Sequence, residues 1–176
     1  MARFKVLVIY VIALFACSGC GMKEHKNYAF TEPKLSLNTG VIHAKFRGTQ
    51  ENSDNETSVN HSPYELLLWF VTPSVQNHGI CLVSLNSMVL KNSETGEYVK
   101  TLESSEVAFR ESSDGAYVAY FSYKKLNILY ADHDLEFKYY FSRDCGLDQL
   151  GASGNMSFKI KYSERNITFW DILMGV

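Results

Sequence analysis

The sequence predicts an all-β domain, an antiparallel β-sandwich of immunoglobulin-like or similar architecture. Three observations carry this. Eleven Tyr and eleven Phe among 176 residues, with only three Pro, give the composition that suits pleated, half-buried surfaces. Several runs alternate apolar and polar residues with the period of a strand. Clusters of turn-forming residues separate these runs at intervals of about 8–12 residues, so roughly seven to nine short strands are expected.

The elements follow in order. Residues 40–48 give the cleanest alternation, with Ile42, Ala44 and Phe46 on one face and Val41, His43, Lys45 and Arg47 on the other. Residues 49–62 are polar and acidic apart from Val59, and read as a long exposed loop. Residues 64–72 (YELLLWFVT) are apolar on both faces, the pattern of a central strand. A turn-rich connection at 73–79 leads to a second central run, 80–90, which carries Cys81. Residues 92–97 form a hairpin-type turn in which Gly96 supplies positive φ, and 98–102 is the return strand. A short run at 107–110 and a turn at 111–115 precede 116–123, where Tyr117, Ala119, Phe121 and Tyr123 alternate with Val118 and Tyr120.

Residues 126–130 fit either a short strand or one helical turn. Residues 135–142 alternate again, Leu135, Phe137, Tyr139 and Phe141 against Glu136, Lys138, Tyr140 and Ser142. A loop is expected at 146–155, then a strand at 156–162 with Met156, Phe158, Ile160 and Tyr162 inward. Near the end, Thr168 and Asp171 have the spacing of a capping box before Ile172, Leu173 and Met174, which predicts a short C-terminal helix.

The first twenty residues have a different character. Arg3 and Lys5 precede ten uncharged apolar residues, 6–15, and small residues then lead into Cys17 and Cys20. The apolar run is shorter than the ~20 residues that span a bilayer and matches the core of a secretory signal. Leu14-Phe15-Ala16-Cys17 resembles the lipobox of bacterial lipoproteins. That resemblance covers only the N-terminal segment. It implies a signal peptide at 1–16 and a cysteine at 17 that carries a diacylglyceryl group and, after cleavage, an acyl chain such as palmitate on its amino terminus; the polar residues that follow, interrupted by Pro33, are read as a lipidated tether over 17–37, with the single domain at 38–176. Cys17 has Leu at −3; the alternative, Cys20, has Ser18 and Gly19 before it and leaves Cys81 and Cys145 as the only other thiols. An ordinary signal peptide or an uncleaved N-terminal anchor are the competing readings. The residue after either cysteine, Ser18 or Gly21, is not Asp, which by resemblance to enterobacterial sorting favours the periplasmic face of the outer membrane over the inner membrane.

Export implies an oxidising compartment, so a Cys81–Cys145 disulfide is expected, stapling two facing sheets with Trp69 packed nearby. Trp69 precedes Cys81, so the Cys…Trp…Cys order of true immunoglobulin domains is absent. Without residues 1–16 the formal charge is −4, from 15 basic and 19 acidic residues, and no basic stripe exists. Nucleic acid is therefore excluded as an expected partner. Asp132, His133 and Asp134 are the densest set of candidate metal ligands, but a strand would place His133 opposite the two carboxylates, and a turn is the simpler reading. His25, His43, His61 and His78 are scattered, and no zinc, nucleophile-elbow or phosphate-loop motif is present. No cofactor is implied.

Tyr120 and Tyr140 fall on the faces opposite the better apolar sets of their strands. They are either cross-strand core pairs or an aromatic patch for a protein or glycan. The expected function is that of a non-catalytic, membrane-anchored envelope lipoprotein that binds another envelope component. The alternative is an inhibitor or immunity-type lipoprotein, which would carry a protruding group on the loop at 146–155 or 73–79. A hydrolytic enzyme would require a concave pocket of convergent polar groups.

Overall fold

Alternating burial along two long strands decides the layout. The computed structural model describes residues 23–76, 80–147 and 151–167. Strands β3 (Gly40–Asn52) and β4 (Glu56–Thr72) pair antiparallel, and both turn one face inward. Ile42, Ala44 and Phe46 from β3, with Tyr64, Leu66, Leu68 and Phe70 from β4, are buried. They belong to a seven-stranded sheet with β1 (Lys23–Phe30), β2 (Lys34–Leu37), β8 (Arg110–Glu111), β9 (Tyr117–Leu126) and β12 (Ile160–Ile167). A five-stranded sheet holds β5 (Leu82–Asn92), β6 (Tyr98–Leu102), β7 (Ser105–Ala108), β10 (His133–Phe141) and β11 (Gly151–Phe158). The expected all-β, mostly antiparallel sandwich is present. No α-helix occurs among the described residues, and the expected C-terminal helix lies outside them.

The two sheets meet through aromatic rings, which explains the aromatic composition. At one end Phe46 touches Phe158 of the opposite sheet at 4.4 Å between ring centroids, with Phe30 against Phe46 at 5.0 Å. At the other end Phe70 meets Tyr139 at 5.7 Å and Phe141 at 5.9 Å, both edge to face. Such pairs add about 0.5–1.5 kcal/mol each to the burial of their area.

Several sequence expectations are corrected. The tether over 17–37 does not persist to residue 37: β1 and β2 belong to the sheet, β1 lying parallel to β4 and antiparallel to β12. Lys26 fixes that parallel pairing, its Nζ lying 2.8 Å from Glu24 and 2.9 Å from Glu56. The expected loop at 49–62 is a β-hairpin instead, with Thr49–Asn52 continuing β3 and Glu56 starting β4. Polar composition misled there because the hydrophobic core takes no member from residues 49–63 or from β12. The hairpin joins β1 and β12 in an extension of the sheet beyond the core. Gly48 sits at the bulge where the hairpin departs, and a Cβ there would lie 2.1 Å from the Asn60 carbonyl carbon. Residues 126–130 are neither strand nor helical turn after Leu126 ends β9. Within 146–155, β11 already begins at Gly151.

The run at 156–162 also departs from expectation. Met156 and Phe158 are buried, whereas Ile160 and Tyr162 are 47% and 45% exposed. The chain changes sheets at Lys159, leaving β11 in the smaller sheet and entering β12 in the larger one.

Cys81 and Cys145 are disulfide-bonded, with Cα atoms 4.5 Å apart. The bond does not staple facing sheets. Cys81 immediately precedes β5, and Cys145 closes a 3₁₀ turn (Arg143–Cys145) just after β10, so the bond ties the ends of two neighbouring strands in one sheet. Gln76, on the connection leaving β4, donates its N–H to the Cys145 carbonyl at 3.0 Å, bringing the inter-sheet crossover onto the same corner. With 64 residues between the cysteines, the chain-entropy model assigns the bond about 4 kcal/mol. A Cys81→Ser variant is therefore expected to lose about 2–5 kcal/mol in non-reducing denaturant titration; unchanged stability would show that the strand pairing alone holds this corner.

Candidate binding face on the larger sheet

The same alternation that buries one face of the larger sheet leaves the other uncovered. On β3 this outer face carries Val41, His43, Lys45 and Arg47; on β4 it carries Glu65, Leu67, Trp69 and Val71; on β9 it carries Val118, Tyr120, Ser122 and Lys124. The strand register places His43 beside Trp69 and Trp69 beside Tyr120. Their rings stack in a row: His43 and Trp69 lie 5.2 Å apart and 2° from parallel, Trp69 and Tyr120 5.7 Å apart and 13° from parallel. Trp69 is sandwiched and half-buried, and Tyr120 ends the row with 52% of its surface exposed. Trp69 is thus not packed beside the disulfide; it faces outward from the sheet opposite the one that the disulfide ties.

Around the row lie Val41, Leu67, Val71 and Val118, all half-buried. Cations ring this apolar centre. Lys34 is the register partner of His43, Arg110 that of Val118, and Lys45, Arg47 and Lys124 lie along β3 and β9. Among the described residues, two carboxylates on this face make contacts: Glu32 pairs with Lys45 at 2.6 Å, and Glu65 accepts the Ser122 hydroxyl at 2.6 Å. The patch is locally positive on a chain whose formal charge is negative. Burial, and secondarily the Lys34 charge, hold the His43 imidazole below its usual titration range, so near neutral pH it stacks as an uncharged ring.

Tyr140 does not share this face. It projects from β10 on the outer side of the smaller sheet, 47% exposed, against Gly151, where a Cβ would lie 2.5 Å from its ring. Tyr120 and Tyr140 therefore form no common patch. The contribution of His43 and Trp69 was missed in sequence, although the signal was there: the second apolar face of residues 64–72 is this outer face, with Leu67, Trp69 and Val71 in line.

The Asp132–His133–Asp134 cluster is dispersed. His133 is buried among Phe30 and Phe46, with Nε2 2.9 Å from the Leu129 carbonyl and Nδ1 3.4 Å from that of Lys91. Asp134 accepts the Ser157 hydroxyl at 2.5 Å on the opposite side of the strand. Asp132 pins the sheet change: its Oδ1 accepts the Ile160 N–H at 2.8 Å and its Oδ2 lies 3.0 Å from Lys159 Nζ. These two contacts, the backbone N–H first, hold its carboxyl below the usual range. No group of three metal-ligating side chains converges among the described residues. Cys17, Cys20 and His78 lie outside the described residues, as do parts of the loops at 73–79 and 146–155.

A cleft of about 470 Å³ adjoins the face, between the β6–β7 connection and β9, lined by Lys100, Glu103, Ser105, Tyr123 and Lys124 among others. Burial pushes the Tyr123 phenol up to about 12, so it stays protonated.

No family model matches the chain, and no curated protein sequence matches it. Among solved structures, a copper-bound variant of FetP from uropathogenic Escherichia coli is similar at 12% identity, covering 81% of this chain and 95% of that one, with a TM-score of 0.29. A TM-score that low transfers neither fold nor ligand.

Two measurements check this geometry. Because the folded state lowers the His43 pKa, His43 favours folding above its unfolded value of 6.5 and that contribution is lost as pH falls below it. NMR titration of His43 should give a midpoint below 6.5, and His43→Phe should flatten the loss of melting temperature on acidification; a midpoint above that value would contradict the stack. Asp132→Ala should cost about 1.5–3 kcal/mol, the worth of a charge-assisted hydrogen bond, with hydrogen exchange accelerated at Ile160 and along β12.

Proposed function

We propose that the chain is an envelope lipoprotein, held by an acyl chain on Cys17 or Cys20, whose larger sheet binds an acidic envelope protein without catalysing a reaction. One observation carries the binding reading: the stacked His43–Trp69–Tyr120 row, set in aliphatic side chains and rimmed by cations. Three strand widths of ~4.8 Å and six residues at ~3.4 Å give this patch ~300 Å². That is the size of the largest apolar patch on an ordinary monomer, a patch that is often functional, and it suits the dry centre of an interface burying ~800 Å² per partner. Aromatic anchors at the centre and charges at the rim are the arrangement of binding hot spots. Leu67, Val41, Val71 and Val118 offer a sugar no hydrogen bonds, which favours a protein over a glycan. The rim cations favour an acidic partner and steer its approach. The anchor reading rests on the lipobox resemblance of residues 14–17.

Three results are expected. Replacing both Cys17 and Cys20 with Ala should abolish palmitate labelling and release the protein from membranes. A photocrosslinker at Tyr120 in intact envelopes should capture a discrete acidic protein, and Tyr120→Ala should weaken that complex by about 2 kcal/mol or more, roughly thirtyfold. Lys34→Glu with Lys124→Glu should slow association, and added salt should mimic them. Competition of the crosslink by protein-free envelope glycan would replace the protein partner with a sugar.

A further inference from the structure

β3, β4 and β9 all break regular pairing along one line of the larger sheet. On β3 the register with β4 shifts on either side of Thr49. On β4 Asn60, at the same shift, has φ 55°, in the left-handed region. On β9 two residues, Lys124 and Lys125, stand opposite the single residue Glu65, because Leu66 pairs with Tyr123 and Tyr64 with Leu126. Lys125, at φ 57°, takes a left-handed conformation that side chains other than glycine rarely adopt. The extra residue returns Leu126 to the core, where it is buried. That re-phasing explains an insertion but not a lysine, since Gly or Asn takes this conformation at less cost. Bulges and left-handed residues gather at ligand sites, where they re-aim side chains.

This line carries a pocket of about 260 Å³, lined by Arg47, Thr49, Pro63, Glu65, Lys124 and Lys125 among others. Along each strand it lies ~14 Å from the His43–Trp69–Tyr120 row. Three cations against one carboxylate leave it a charge of +2. Glu65 is turned aside, its Oε1 accepting the Ser122 hydroxyl at 2.6 Å. Among the described residues none of Arg47, Lys124 and Lys125 forms an ion pair. We propose that this pocket binds a phosphate monoester. The Arg47 guanidinium offers a planar fork to two oxygens, and the two ammonium groups, reaching in from the far side of Glu65, act as point charges on the rest. A carboxylate, with one charge and two oxygens, needs no more than Arg47. A phosphate monoester brings a charge of about −1.5 to −2 and three oxygens, which matches both the excess charge and the three donors. The bulge is what lets Lys124 and Lys125 serve one ligand, because successive residues of a regular strand point to opposite faces. The site goes beyond the protein-binding reading and does not depend on it, since phosphate should bind with no partner present.

The test titrates the full-length protein, in neutral detergent and at constant ionic strength, with inorganic phosphate and follows backbone amides by NMR. The signals of Arg47, Lys124 and Lys125 should shift and saturate, whereas acetate should move them weakly and without saturation. Lys125→Gly is the decisive variant. Glycine suits φ 57°, so the melting temperature should hold or rise. Phosphate affinity should nevertheless fall about tenfold or more, the loss of one charge-assisted hydrogen bond. Arg47→Gln, on the other side of the pocket, should weaken binding likewise, and it replaces Lys125→Gly if that variant melts lower. Lys100→Gln removes a cation of the neighbouring cleft and should leave affinity unchanged. Once phosphate binding is established, a soluble hexose phosphate and vesicles containing phosphatidic acid compete for the site. Stronger competition by the sugar phosphate assigns it to a soluble ligand, and stronger competition by the vesicles to a lipid headgroup; either upholds the site. Phosphate that shifts these signals no more than acetate does overturns the proposal. So does a folded Lys125→Gly protein with unchanged affinity, or an equal loss in Lys100→Gln, which would make the effect one of general charge.

Discussion

The register of β4 is the constraint on which the larger sheet depends. At ~3.4 Å per residue its seventeen residues run ~58 Å, through the core and on into the extension. β3 accompanies it along one edge, and β9 and then β1 share the other. Tyr64, Leu66, Leu68 and Phe70 must point inward together, and a slip of one residue would exchange them for Glu65, Leu67, Trp69 and Val71. The burial of four large side chains, at ~1.5–3 kcal/mol each, stands against that slip. The outer face inherits its order from this: His43, Trp69 and Tyr120 align because three core rows already fix their strands.

Legibility in the sequence followed burial. Where a strand had one face in the core and one in water, as at Ile42–Ala44–Phe46 or Leu135–Phe137–Tyr139–Phe141, the period of two was plain and the structure agrees. It was not plain in the extension, because Lys23–Ala29, Thr49–Asn52 and β12 contribute nothing to the core and so carry no apolar stripe. Those strands exist through backbone pairing and polar contacts such as Glu24–Lys26–Glu56, which spacing along the chain does not reveal. The two-faced run at 64–72 was legible as central but not as exposed, since apolarity marks what leaves water without saying whether protein or a partner covers it.

Asp132 shows how a motif-like cluster can be structural. Its neighbours are a turn, a buried imidazole held by carbonyls and a strand carboxylate bonded to a serine. Sequence proximity put three candidate ligands together, and the strand then sent them in different directions. The disulfide gives the converse case. The pairing of Cys81 with Cys145 was readable from parity and compartment, whereas its place within one sheet depended on β5 and β10 being neighbours, a matter of topology alone.

The pairing of β1 with β12 carries a consequence for the order of folding. Lys23 waits for Ile167, so the N-terminal strand acquires one of its two neighbours only after nearly the whole domain has been made. Until then it can rest only on the short parallel ladder to Glu56–Val59, leaving an open edge of the kind that recruits other chains. Long-range closure of this sort is slow, and a chain in which β12 has not yet paired leaves the edge of β1 open. The polar surface of β1 and β12, which hid them from a reading of hydrophobic pattern, is then a safeguard: an edge that must stay open longest is made of Lys, Glu, His and Asn.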